Sequence, residues 1–215
     1  MFQYDEQKAL RSESSNRITE PGAYVGTILQ AEHVTAHNSA AEYIRFMYRT
    51  DDGVSVWLSL FTKKKDGTEA YGVGYVHALM GLLGINQMSA VQAKCRAWDG
   101  SVVDGFRYRE VENKKIGFVL GMRDRKYTDA NGFERIAYDP QIVRLFDPAS
   151  RKTLTEIRRN LDPATMVDKT VQTQVEAFEK LKAKVEAERS AEFESAPRAT
   201  EKTVSNDPMA DDFPF

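Results

Sequence analysis

The sequence predicts a mainly β domain: a small barrel of five to seven short strands with one inserted helix, followed by an amphipathic helix and an acidic tail. Three observations carry that reading. Short segments rich in β-branched and aromatic residues recur between glycine-containing turn signals. One stretch near the middle of the chain switches to helical spacing. The texture changes near Leu161-Asp162-Pro163, beyond which acidic residues dominate. The 215 residues are 41% hydrophobic and 29% charged, with 30 Lys and Arg against 32 Asp and Glu, which excludes a wholly disordered chain and a polycation alike. A single cysteine, Cys95, excludes an intramolecular disulfide framework and a cysteine-rich zinc site. No apolar run approaches the length of about 18 that crosses a bilayer, and the first ten residues are polar. The expectation is therefore a soluble, cytoplasmic protein with no leader and no membrane partner.

Taken in order, residues 1–20 are polar and read as a flexible N-terminal arm ending at the turn Pro21-Gly22. Residues 24–34, 42–49 and 54–62 read as strands, the last two joined by the hairpin signal Thr50-Asp51-Asp52-Gly53. After the turn Asp66-Gly67, residues 73–85 place Val73, Val76, Leu79, Met80 and Leu83 at helical spacing, with Gly84 at the residue that ends the helix. Strand-like segments resume at about 91–98, 106–111, 116–122 and 136–146, with breaks at Asp99-Gly100, Asp104-Gly105, Asn113-Lys114-Lys115 and Asn131-Gly132. Pro140 marks part of the last as an edge or a bulge. Strands at this spacing with one inserted helix make a small barrel or sandwich the economical fold, an OB-like barrel over residues 21–160 being the first choice. Residues 165–194 read as the amphipathic helix, with Val171, Val175, Phe178, Leu181 and Val185 on one face. It is expected to pack on its own body, a homodimer being the alternative. Residues 195–215 read as a flexible linker and an acidic tip.

Alternation in the hairpin gives the first candidate site. Residues Val54, Val56, Leu58 and Leu60 share one face, leaving Ser55, Trp57, Ser59 and Phe61 on the other. In the preceding strand Ile44, Phe46 and Tyr48 oppose Tyr43, Arg45, Met47 and Arg49. The hairpin thus presents Trp57 and Phe61 beside Tyr43, Arg45 and Arg49, with Lys63, Lys64 and Lys65 at its rim. Flat rings for exposed bases and cations for phosphates are what single-stranded nucleic acid requires. Arg107 and Arg109 alternate with Phe106 and Tyr108, and Arg123, Arg125 and Lys126 lead to Tyr127 in an expected loop. The competing reading buries Trp57 and Phe61 in a second core and leaves the lysines as a solvated turn.

Charge is unevenly spread. Residues 1–160 carry 23 basic and 20 acidic side chains, whereas residues 161–215 carry 7 and 12. The chain ends Asp207-Pro208-Met209-Ala210-Asp211-Asp212-Phe213-Pro214-Phe215. This closely resembles the acidic tip of bacterial single-stranded DNA-binding proteins, Asp-Asp-Ile-Pro-Phe, with Phe213 standing where that tip has isoleucine. Such a tip buries Phe215 in an apolar pocket and pairs its α-carboxylate with an arginine, while Asp211 and Asp212 meet a basic rim. Pro214 keeps the peptide extended. The resemblance implies that Asp211 to Phe215 recruit host replication or repair proteins.

The body resembles, over roughly residues 20–150, the OB-fold single-stranded DNA-binding proteins of bacteriophages. Pro21-Gly22-Ala23-Tyr24 leading into Ile28, Asp52-Gly53 before Val56-Trp57-Leu58, Lys65-Asp66-Gly67, and Tyr71-Gly72 opening a helix with Ala78-Leu79-Met80 carry the likeness. It implies sequence-tolerant coating of single-stranded DNA in phage replication, recombination or repair. The candidate DNA contacts come from strand parity alone. Two other readings stand beside this one. In one, a decoy or interaction module occupies host repair proteins through its tail; in the other, a recombination factor anneals complementary strands.

Other chemistry is weakly signalled. His33 and His37 stand four apart in an extended region, too far for one metal. Gly72-Val73-Gly74 lacks the third glycine of a dinucleotide fingerprint, and no Gly-Lys-Ser/Thr follows. Asp51-Asp52 is turn chemistry, and Asp211-Asp212 lies in the tail. Cys95, alternating with Ala93 and Ala97, reads as a buried structural thiol. A non-enzymatic protein with no cofactor and no metal is expected. Because an acidic tail competes with DNA for a basic face, removing residues 207–215 is expected to tighten oligo-dT binding at low salt; unchanged or weaker affinity in a titration would refute that competition.

Overall fold

The computed structural model describes residues 17–36, 39–96 and 101–195, the side chains of 189–195 excepted. Among the described residues it is mainly β, with seven antiparallel strands in one open sheet and three helices. The strands are β1 (Gly22–Thr35), β2 (Glu42–Thr50), β3 (Ser55–Lys63), β4 (Val91–Arg96), β5 (Val102–Arg107), β6 (Lys115–Thr128) and β7 (Glu134–Phe146). The helices are α1 (Gly72–Leu83), α2 (Leu154–Arg158) and α3 (Met166–Ser195). Two compact units divide the chain, residues Met1–Leu181 and Lys182–Phe215. The first contains the sheet, α1, α2 and the start of α3. The described part of the second is the remainder of α3, where Lys184 faces Glu188 one turn on at 3.8 Å.

Strand β1 organises the sheet. Along one edge it pairs with β2 from Gly26↔Thr50 to Thr35↔Glu42, across a bulge between Ile28 and Gln30. Along the other it pairs first with β6, from Gly22↔Leu120 to Thr27↔Lys115, and then with β5 at Glu32↔Arg107 and His33↔Phe106. Between those two partners the connecting turn takes over. Ile28 donates to the Lys114 carbonyl, Asn113 and Tyr108 donate to the carbonyls of Ile28 and Ala31, and the Ala31 amide donates to the Glu112 carboxylate. A strand in the interior of a sheet must satisfy its backbone in this way, because an unpaired buried amide costs about as much as a lost hydrogen bond.

The core sits on one face of β1, β2, β3 and β6, where Ile28, Ile44, Phe46, Tyr48, Leu58, Leu60, Ile116, Phe118 and Leu120 are buried with Leu79 of α1. Tyr48 is wholly enclosed, its ring edge-on to Phe118 at 4.8 Å. Its hydroxyl lies 3.0 Å from the Tyr24 carbonyl and 2.9 Å from that of Ile116, joining β2 to β1 and β6. Burial, reinforced by Asp51 and Asp52, holds this phenol protonated far above its ordinary pKa. Helix α1 ends where expected, at Gly84 with φ 66°, a left-handed residue whose amide bonds the Met80 carbonyl.

Four expectations need correction. Asp104-Gly105 is inside β5 and not a break; a Cβ at Gly105 would come 2.8 Å from the Cys95 sulfur, so the glycine makes room for a buried thiol. Residues 106–111 are not a strand: β5 ends at Arg107, and Arg109–Val111 form a 3-10 turn. Arg123, Arg125, Lys126 and Tyr127 lie in no loop but in β6, which pairs with β7 out to Thr128↔Glu134 as an extended arm. Ile18 is 7% exposed and belongs to the core, so the expected arm is packed at that residue, while residues 1–16 of it lie outside the described residues. Pro140, opposite Met122, lies in β7, which pairs with β6 alone and is the edge strand its proline requires.

Helix α3 packs on its own body through Phe178, edge-on to Tyr138 at 5.0 Å, and through Val167 and Val171 beside Val119 and Phe146. Val175, expected on that face, is exposed. The helix is anchored by Glu156, a carboxylate 1% exposed. One oxygen accepts from the backbone and hydroxyl of Thr153, closing a capping box on α2, and the other accepts from the amides of Thr165 and Met166 where α3 begins. Burial alone would raise the pKa of this carboxyl, but the four hydrogen bonds outweigh it and hold the group at about 2. A carboxyl depressed on folding contributes stability above its unfolded pKa and loses it as pH falls through the folded one, here worth about 3 kcal/mol. Glu156→Gln is therefore expected to be about 3 kcal/mol less stable than the parent in urea at pH 7, the gap closing toward pH 2. A gap independent of pH would refute the assignment.

Candidate nucleic-acid interface

The β2–β3 hairpin turns through Gly53, whose φ of 94° favours glycine. Its register sets Tyr43 opposite Phe61, Arg45 opposite Ser59, Met47 opposite Trp57 and Arg49 opposite Ser55. With Ile44, Phe46, Tyr48, Leu58 and Leu60 buried beneath, these pairs form the reverse face of the hairpin, in the parity the sequence predicts.

That face borders a groove. Strands β3 and β7 approach one another without pairing, and between them lies a cleft of about 870 Å³. On its β3 side stand Tyr43, Trp57 and Phe61 with the hydroxyls of Ser55 and Ser59; on its other side stand Arg123 and Arg125 of β6 with Asp139 and Gln141 of β7. Arg17 and Ile18 also line it. The basic residues of β6 and the aromatic residues of β3, far apart in sequence, thus share one site.

Tyr71, just before α1, completes the aromatic row. It is 68% exposed, with ring centres 6.4 Å from Phe61 and 6.3 Å from Tyr75. Alternation could not find it, because the residue precedes a helix and reaches the groove through tertiary contact. The contact depends on Gly72: a Cβ there would stand 2.2 Å from the Phe61 carbonyl oxygen, so only glycine lets the start of α1 sit against β3. Tyr138 and Gln141 carry no sequence signal beyond membership of a strand, Pro140 signals only an edge or a bulge, and Arg17 falls within the expected arm.

The candidate cations divide by partner. Arg45 pairs with Glu32 at 2.6 Å, Lys63 with Glu42 at 2.8 Å, Arg107 with Glu112 at 2.6 Å and Arg125 with Asp139 at 2.6 Å. The Lys63 ammonium, by its hydrogen bond, holds the Glu42 carboxyl below its ordinary pKa. Arg49 donates to the Ser55 hydroxyl. Lys64, Lys65, Arg109 and Arg123 make no ion pair among the described residues. Arg107 and Arg109 do not line the groove, and neither do Lys63, the last residue of β3, or Lys64 and Lys65 in the exposed turn that follows it. Tyr127 lies farther out on the arm, half exposed beneath the Arg125 guanidinium. The protein-interaction candidates Asp211, Asp212, Phe213, Pro214 and Phe215 lie outside the described residues.

Cys95 is buried, and desolvation raises its pKa, the opposite of what an activated thiol requires. Rings in a row with polar groups between them and guanidinium groups across a cleft can stack planar groups and neutralise an extended polyanion. No family model and no curated protein matches the chain.

Two neighbouring glycines test the geometry. Alanine at a helix position gains up to about 1 kcal/mol over glycine, and Gly74 has nothing within 4 Å to oppose it. At Gly72 the backbone clash outweighs that gain, at a cost of about 1–3 kcal/mol. Gly74→Ala is expected to raise the melting temperature and Gly72→Ala to lower it; equal shifts would show that α1 does not depend on this approach.

Proposed function

We propose that the protein binds single-stranded DNA without sequence preference, in the groove between β3 and the β6–β7 arm. The observation that carries this reading is the meeting of Tyr43, Trp57, Phe61 and Tyr71 with Arg123 and Arg125 in one cleft. Bases stack on rings at about 1–3 kcal/mol each whatever their identity, and guanidinium groups follow the phosphates.

The OB-like barrel is part of the same proposal. In support, β1 pairs with β2 on one edge and β6 on the other, β7 follows β6, and β7 returns alongside β3. The succession β1-β2-β3-β7-β6 is then cyclic, with α1 lying against β3 and β7 and the β4–β5 hairpin inserted ahead of β6. The terminal peptide Asp211 to Phe215 supports a second role, recruitment of replication or repair proteins to the coated strand, on its resemblance to the bacterial tip.

Arg123, which makes no ion pair among the described residues, is the groove's clearest phosphate contact, whereas Arg125 must leave Asp139 to make one. Titration of oligo-dT against tryptophan fluorescence is expected to show quenching that weakens with salt. Trp57→Ala should reduce affinity roughly five- to a hundredfold, and Arg123→Ala should lower the log–log salt slope by about 0.7. Equal affinity for duplex and single strand would overturn the proposal.

A further inference from the structure

Arg45 has the sequence position of a phosphate contact and the surroundings of something else. On β2 it stands opposite Glu32 of β1, and its Nε and Nη2 both donate to Oε2 of that carboxylate, at 2.9 and 2.6 Å. Glu32 is 2% exposed, and its other oxygen accepts from the Gln30 side-chain amide. That amide also spans the N–H and C=O of Arg96, which ties the assembly to β4. Removing the counter-charge of a carboxylate so buried is strongly unfavourable. The guanidinium is therefore pinned. Its carbon lies 4.7 Å from the centre of the Trp57 ring, and Trp57 lines the groove whereas Arg45 does not.

We infer that Arg45 is a positioning residue for Trp57: held by Glu32, its guanidinium covers one face of the indole and fixes the ring so that the other face is presented to the groove. The inference rests on the reading of that groove as a single-strand site, and it removes Arg45 from the phosphate contacts. Planarity is central to the role, because a guanidinium stacks on an aromatic face and forks onto a carboxylate, whereas a lysine ammonium is a compact point charge.

The test uses the full chain carrying Trp98→Phe, which leaves Trp57 as the one tryptophan. Into it are placed Arg45→Lys, Arg45→Met and the double substitution Glu32→Gln with Arg45→Met, the last because methionine alone strands the buried carboxylate. Acrylamide quenching of the free protein is expected to rise about twofold in all three. Oligo-dT affinity is expected to fall roughly three- to tenfold, with the salt slope unchanged. A slope lower by about 0.7 in the methionine variants, with slope and affinity retained by lysine, would identify a phosphate contact and overturn the inference. Unchanged acrylamide quenching in the double variant would overturn it as well. If the parent itself fails to bind oligo-dT, the functional reading falls, while quenching still decides whether Arg45 holds the indole.

Discussion

The fold depends on the need of one strand, β1, to satisfy its backbone along both edges. Strand β2 serves one edge nearly throughout, but no single strand serves the other. Strand β6 takes the first part, β5 the last, and a turn with the Glu112 carboxylate closes the interval. The Tyr48 hydroxyl secures this arrangement from within the core by reaching carbonyls of both β1 and β6. Once β1 is held so, little else is free to vary: β2 fixes the register of β3, β6 fixes that of β7, and the space between β3 and β7 becomes the groove.

The groove has a division of labour that residue type alone does not reveal. Its aromatic side is built on paired strands and on a helix start pressed against β3, so the rings are presented by rigid elements. Its cationic side belongs to a two-stranded arm, where Arg125 has Asp139 and Arg123 has no ionic partner among the described residues. Rigid rings opposite adaptable charges suit a ligand whose bases vary in size while its backbone charge does not.

Much of this was legible in the sequence, for reasons tied to particular residues. The strict alternation of buried and outward residues through β2 and β3 set the faces of Tyr43, Trp57 and Phe61 correctly, because a period of two leaves no third choice. Helix α1 and its end at Gly84 followed from spacing and from the φ that only glycine adopts readily. Charge was read less well. Arg45 and Arg107 lie on strands as expected, yet their carboxylates, Glu32 and Glu112, are brought opposite by pairing and by a turn that local sequence does not encode. The outer part of the arm carries no strand signature in the sequence, because its residues are polar and exposed on both faces, which erases the alternation that marks a half-buried strand. Tyr71 escaped altogether, since its place depends on the missing Cβ of the next residue.

The pairing of groove charges has a consequence for how a ligand would arrive. An isolated cation projects a field over about a Debye length, whereas a cation bound to a carboxylate projects that of a dipole, which fades within a few ångströms. With Arg125 so neutralised, and the first 160 residues nearly balanced in charge, the cleft's reach into solvent depends on few cations, Arg123 among them. Capture would then be governed by collision and by short-range fit, not by attraction from afar. A strand passing at a distance would scarcely be felt, and one already in the cleft would be held chiefly by its bases.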